Sequence, residues 1–277
     1  MISVRTMPTM TLQDAADQLG VHYMTVYRYV RLGRLPAQKV GGTWEVDPAD
    51  LEGLRRGHDR SVRPKHSADW TKRLEARLIE GDEAGAWGVV EAALASGNAP
   101  ADIYSGLIGP ALASVGDRWH AGRLSVAEEH LATSVVLRLI GRMGPRFARR
   151  GRTKGVVVVT TPPGERHAIP SLMVADFLRG AGFEVIDLGA DVPVDSLTEI
   201  VVRIDGLVAV CVSSTRANAD RSIRRVVKAV HKSVPDVPLF VGGASIADAV
   251  HAEALGADGY AKDGAGAVAL VLGAIAA

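Results

Sequence analysis

Apolar residues follow three different rhythms along the chain, and the changes of rhythm divide it. Beyond residue 150 they gather in short runs: Gly155–Thr161, Phe183–Leu188, Leu207–Ser213, Leu239–Val241 and Gly259–Lys262. Runs of that length separated by helical stretches predict strands buried on both faces, hence a parallel sheet with helices between its strands. Five such strands imply a flavodoxin-like, doubly wound α/β sheet over 151–277. Between residues 68 and 150 the spacing is helical instead. Trp70–Glu80, Asp82–Ser96, Ala101–His120 and Ser125–Arg149 are four predicted helices joined by short glycine-containing links, which argues a four-helix bundle. Ser125 with Glu128 predicts a capping box at the start of the last one.

Residues 1–57 read as short helices and a hairpin. Thr11 to Asp14 opens a helix with Leu12, Ala15, Ala16 and Leu19 on one face, and Gly20-Val21 makes a turn. A second helix, Tyr23 to Leu32, carries Val26 and Val30 on one side. Lys39 to Val46 predicts two short strands about Gly41-Gly42. Helix, turn, helix and small wing form a DNA-reading architecture, a winged helix-turn-helix. Trp44 has two open roles, packing the wing onto the helices or touching DNA. Residues 58–67 lack apolar periodicity and read as a charged, solvated tether.

Composition adds limits. A length of 277 suits about two or more domains, and 47% hydrophobic with 23% charged residues is ordinary for globular chains. Cys211, the single cysteine, lies in a strand run and is expected to be a buried thiol. With no signal-like or long uncharged apolar segment, neither export nor a membrane span is expected, and a cytoplasmic location follows. The net charge is +1, but residues 1–66 hold ten Lys or Arg against seven Asp or Glu.

The candidate chemistry sits in three loops that follow predicted strands, where parallel sheets bind ligands. Glu165-Arg166-His167 follows the first strand, Ser213-Ser214-Thr215 the third and Gly242-Gly243 the fourth. An imidazole there can ligate a metal while a nearby carboxylate holds its other nitrogen. The glycines would let a bulky ligand tail approach the backbone. Ser213 and Thr215 suit either hydrogen bonds to such a tail or a cap for the helix from Ala217 onward.

This spacing resembles the cobalamin-binding domain, with its Asp-x-His-x-x-Gly, Ser-x-Leu and Gly-Gly motifs. Glu165 stands for the aspartate, Pro170 for the motif glycine and Thr215 for the leucine. Pro170 is expected to open a helix over Ser171–Arg179. The resemblance implies that His167 is the lower cobalt ligand. The run through Asp191 resembles the loop after the second strand of such domains. Residues 1–57 resemble the winged heads of the excisionase and MerR families, through Ala15-Ala16-x-x-Leu19-Gly20-Val21, Thr25-Val26-Tyr27-Arg28 and Gly33-Arg34-Leu35-Pro36. That implies Tyr23, Thr25, Arg28 and Arg31 at the major groove, with Lys39 and Thr43 on the wing.

Trp119, His120, Glu129 and His130 are not all explained by capping or amphipathic pattern. Trp119 and Glu129-His130 resemble the Trp-x9-Glu-His signature of CarH-type photoreceptors. The resemblance implies a helical cap in which Trp119 packs on the 5′-deoxyadenosyl group of adenosylcobalamin and Glu129 binds its ribose. His120 then stands where a second cobalt ligand arises after light. A non-enzymatic, light-responsive repressor of operator DNA, assembling as a dimer or tetramer, is the function expected. A light-independent cobalamin sensor and a corrinoid carrier for methyl transfer are the alternatives.

Overall fold

The computed structural model describes residues 9–19, 23–31, 35–48, 50–51, 69–149 and 151–276, and divides at residue 68 into two units. The Gly20-Val21 turn, Gly33-Arg34, the tether 58–67 and the side chains of Thr25, Arg28 and Arg31 lie outside the described residues.

In the first unit a two-residue strand β1 (Met10–Thr11) leads into α1 (Leu12–Leu19), followed by α2 (Tyr23–Arg31). Thr11 and Asp14 cap α1 reciprocally: the Thr11 N–H donates to the Asp14 carboxylate, and the Asp14 N–H donates to Thr11 Oγ1. Strands β2 (Gln38–Val40) and β3 (Thr43–Val46) pair about Gly41 and Gly42, whose φ values of +56° and +93° suit a tight hairpin turn. The sheet order is β1-β3-β2, antiparallel. A strand as short as β1 has no period to read in the sequence. Leu12, Ala15, Ala16, Val26, Leu35, Val46 and Leu51 form the core, and the half-buried Trp44 packs against it. The packing role of Trp44 is the one observed. Lys39 and Thr43 are exposed on the hairpin, and Tyr23 stacks on Tyr27 with centroids 6.4 Å apart.

The second unit begins with α3 (Trp70–Glu80) and α4 (Glu83–Ala95), each capped by an aspartate, Asp69 or Asp82. The expected helix 101–120 starts one residue earlier and is not uniform. It comprises α5 (Pro100–Ile103), a π-helical segment Tyr104–Ile108 and α6 (Gly109–His120). Helix α7 (Val126–Met143) carries the Ser125–Glu128 capping box, with Ser125 N–H donating to Glu128 at 2.7 Å. It ends sooner than residue 149. Pro145 has no N–H to continue the ladder, and Gly144–Phe147 becomes a single 3-10 turn.

Beyond residue 155 come β4 (Val156–Thr160), α8 (Ile169–Ala181), β5 (Glu184–Asp187), α9 (Val194–Val201), β6 (Leu207–Ser213) and α10 (Asp220–Ser233). The series closes with β7 (Leu239–Gly242), α11 (Ala249–Ala254), β8 (Gly259–Ala261) and α12 (Gly264–Ala274). Pro170 sits in the first turn of α8, which extends the expected 171–179 at both ends. The strands are parallel in the order β5-β4-β6-β7-β8. Successive residues face opposite sides. Val157, Val159, Ala209 and Cys211 pack under α8 and α12, whereas Val158, Val210 and Val212 pack under α9 and α10. The order reverses between β4 and β6, so the loops after those two strands splay apart and open a crevice. Among the described residues no helix is long and apolar enough to cross a membrane.

One buried polar contact joins the helical block to the sheet. Tyr104, in the π-helical segment, donates its hydroxyl to Asp176 of α8 at 2.6 Å, and Arg179 donates to the other oxygen at 2.9 Å. Burial, then donation to Asp176, raises the Tyr104 phenol above its ordinary pKa. The ring stacks on Phe147 at 4.9 Å. Tyr104→Phe keeps that stack and deletes one charge-assisted bond, so urea unfolding should show a loss of about 1.5–3 kcal/mol. An unchanged midpoint would mean that the contact contributes nothing to stability.

Candidate functional site

The site grows from the loop between β4 and α8. Thr161 Oγ1 donates to the Glu165 carbonyl at 2.9 Å, and the Asp191 N–H reaches that carbonyl at 2.8 Å. Asp191 in turn accepts the Gly164 N–H at 2.6 Å from a left-handed backbone conformation, φ +58°. Asp191 therefore braces the loop that carries Glu165 and His167, and it does not line the cavity described below.

This brace presents Glu165, whose side chain is 1% exposed. One carboxylate oxygen accepts the His167 N–H at 2.9 Å and the His167 ring Nδ1 at 2.5 Å. The other accepts from the Thr215 N–H at 2.6 Å, the Arg216 N–H at 2.7 Å and Ser214 Oγ at 3.2 Å. Burial disfavours the charged carboxylate, but donation by the backbone N–H groups of His167, Thr215 and Arg216 and by the His167 ring outweighs it. The pKa falls to about 2. A carboxylate partner places the imidazole proton on Nδ1 and leaves Nε2 free to ligate a metal. His167 itself projects outward, with its side chain 64% exposed.

His167 lines a cavity of about 1220 Å³ between the sheet's carboxyl edge and the helical block. Ser213, Thr215, Gly242 and Gly243 share the sheet side, and Trp119, His120, Glu129 and His130 face it from the helices. The joint between α6 and α7 thus gathers the indole, two imidazoles and a carboxylate as the sequence predicts. Trp119 lies edge-on to the His120 ring, centroids 4.6 Å apart, and is 40% exposed. His120 Nδ1 lies 2.9 Å from the Gly116 carbonyl, so that nitrogen bears the proton and Nε2 is again free. Glu129 holds His130 Nδ1 at 2.6 Å and accepts Thr133 Oγ1 at 2.8 Å.

Two contacts go beyond the sequence reading: Ser214 Oγ and the Thr215 N–H both donate to Glu165, and neither Ser213 nor Thr215 caps a helix, since α10 starts only at Asp220. Ser214 and Arg216 were not singled out; a serine pair at a strand end gives no signal of which one turns inward. The glycines are required by the protein itself. A Cβ at Gly242 would meet the Ala261 carbonyl at 2.4 Å, and one at Gly243 would meet the Ser214 carbonyl at 2.3 Å.

The donor set fits a corrinoid. The cavity exceeds the roughly 300–1,000 Å³ of ordinary small-molecule pockets. Among the described residues no three His, Cys, Asp or Glu side chains converge as a metal site. Single imidazoles, His167 on the sheet side and His120 on the helical side, would instead hold a metal whose other ligands come from its own macrocycle.

Glu165→Gln tests the carboxylate. Whichever way the amide is turned, its NH2 meets a backbone N–H, so denaturant unfolding should show a loss of about 2–3 kcal/mol. Wild-type stability would remove the bridging role. Cys211, with its thiol pushed up to about 12 by burial, should resist alkylation at pH 8 in the folded chain and react at once after unfolding. Rapid labelling of the native protein would contradict that burial.

Comparison with known proteins agrees with this geometry. The B12 binding domain family matches residues 70–143 and, in a second form, 155–271; a helix-turn-helix domain matches 9–58. The HTH-type transcriptional repressor CarH of Myxococcus xanthus is 30% identical over 208 residues, covering 72% of this chain and 67% of the relative. Trimethylamine corrinoid protein 2 of Methanosarcina mazei is 30% identical over 202 residues, covering 72% and 92%. The monomethylamine corrinoid protein of Methanosarcina barkeri superposes with a TM-score of 0.67 at 20% identity, over 75% of this chain and 99% of that one, which speaks to fold alone. A helix-turn-helix domain followed by two B12 binding domains in this order places the chain in the CarH-type family of cobalamin-dependent transcriptional regulators.

Proposed function

We propose that the chain is a light-responsive transcriptional repressor with adenosylcobalamin as its chromophore. In this reading residues 1–57 are a winged helix-turn-helix, 68–150 a four-helix-bundle cap and 151–277 the cobalamin-binding domain. The observation that carries it is the pair of free imidazole nitrogens, on His167 and His120, facing one cavity beside Trp119 in a chain with a DNA-reading head.

His167 would hold cobalt through Nε2 while Glu165 fixes its tautomer. Trp119 would present its exposed face to the adenosyl group, Glu129 would accept from the ribose with His130 beside it, and His120 would offer Nε2 from the cap side. Ser213 and Thr215, with the backbone at Gly242 and Gly243, line the path for the nucleotide tail. Adenosylcobalamin would supply a light-sensitive cobalt–carbon bond, and Trp119, packed against the adenosyl group, would couple the state of that group to the packing of the cap. The dark form assembles as a dimer or tetramer whose linked heads gain avidity for operator DNA in the cytoplasm. Tyr23, Thr25, Arg28 and Arg31 read the major groove, and Lys39 and Thr43 hold the backbone. No turnover is involved; a carrier role in methyl transfer would leave the head without a task.

His167→Ala should remove the imidazole-ligated absorption spectrum of bound cobalamin and weaken loading at least 10–100-fold, the cost usual for losing even an outer partner of a metal ligand. An unchanged spectrum would reject His167 as the ligand. Operator affinity and oligomer mass should fall on illumination of the loaded wild type and stay constant in Trp119→Ala. Equal wild-type values in dark and light would favour the light-independent cobalamin sensor. Arg28→Ala or Arg31→Ala should weaken DNA binding, with a base contact worth about 1–3 kcal/mol, and leave cobalamin uptake intact. Wild-type affinity in both would move the reading surface to the hairpin.

A further inference from the structure

Between Glu129 and Glu165 the chain has no acidic residue, yet it holds seven basic ones from Arg138 to Lys154. For a chain of net charge +1 this is a strong local excess. The first three of these cations are engaged. Arg138 pairs with Glu83 at 2.7 Å, and Arg142 and Arg146 lie over the Trp87 ring at 3.9 and 5.2 Å.

Farther along the situation changes. Arg149, Arg152 and Lys154 are exposed, and among the described residues none has an anionic partner. They line a separate cleft of about 290 Å³ with Arg179, around Gly182 and Phe183. No acidic side chain lines it. The nearby Asp176 is already held by Tyr104 and Arg179, and Lys154 rests its ammonium 5.8 Å from the Phe183 ring. Like charges held together without counter-charge repel one another, and a polyanion laid across them relieves that repulsion.

We propose that this cleft, on the unit holding the helices and the parallel sheet, is a second and sequence-independent contact for the DNA phosphate backbone. It rests on the reading of the chain as a DNA-binding regulator and extends it: the head reads bases, and this patch adds salt-sensitive affinity. Three cations on phosphates release counterions in proportion, which gives the contact a measurable signature.

The test uses the full-length, cobalamin-loaded chain in the dark and duplex DNA of random sequence, with anisotropy titrations across a range of salt. In the triple variant Arg149→Gln, Arg152→Gln, Lys154→Gln, the slope of log K against log salt should become shallower by about 2–3, and in Arg152→Gln alone by about 0.9. The corrin spectrum should be unchanged, since the three side chains lie on a different surface from the cavity. A wild-type slope in both variants overturns the proposal. So does a triple variant that keeps its DNA slope but loses binding to phosphatidylserine vesicles, which would assign the cleft to lipid phosphate. If the wild type itself binds no duplex DNA, the regulator reading fails, and the proposal falls with it for that separate and visible reason.

Discussion

The arrangement of the candidate site depends on one buried carboxylate. Glu165 divides its oxygens between the loop that carries His167 and the loop that follows β6, so the two edges of the crevice at the sheet's reversal are held together. A buried carboxylate is costly unless donors surround it, and here three backbone N–H groups, an imidazole and a serine hydroxyl do so. The longer reach of glutamate suits the span from one loop to the other. Asp191 and Thr161 reinforce it by holding the Glu165 carbonyl, which ties in the loop after β5 as well. The orientation of His167 is therefore set by the protein's own hydrogen bonds.

Much of this was legible because it is local. Runs such as Val156–Val159 predict buried parallel strands from composition alone, and placing His167 at a strand's carboxyl end needs only the strand. The Ser125–Glu128 box and the Gly41-Gly42 turn are likewise contacts between close neighbours. What stayed hidden is directional or distant. The choice between Ser213 and Ser214 depends on how the chain leaves β6. The need for glycine at 242 and 243 comes from carbonyls on Ala261 and Ser214, which no local pattern reveals. Tyr104 and Asp176 stand 72 residues apart, so neither announces the other. The π-helical segment at Tyr104 hides within an otherwise regular helical spacing.

That distant contact gives the second unit a mechanical layout. From Tyr104 the chain runs through the π-helical segment and α6 to Trp119 and His120, a span of about 24 Å at helical rise. From Asp176, α8 runs back toward its N-terminus and His167. The two sides of the cavity are thus the far ends of two helices pinned together near the base. Rotation about such a pin moves the far ends more than the base, so any turn of the helical block is felt most at Trp119 and least at Tyr104.

The energetics of the pin set the terms for that movement. Asp176 is buried, and separating it from Tyr104 without replacing the donor leaves a charge held by Arg179 alone, a penalty of the order of 1–3 kcal/mol. A cap that swings while the bond persists avoids this cost; one that lifts away entirely incurs it. Within a total stability of roughly 5–15 kcal/mol, that difference favours rotation about Tyr104 over detachment. The surrounding stack of Tyr104, Phe147 and Phe177, with centroids 4.9 to 6.2 Å apart, adds a dry surface that the same rotation would preserve. A helical block held this way can change its angle at the cavity while its base stays packed on the sheet.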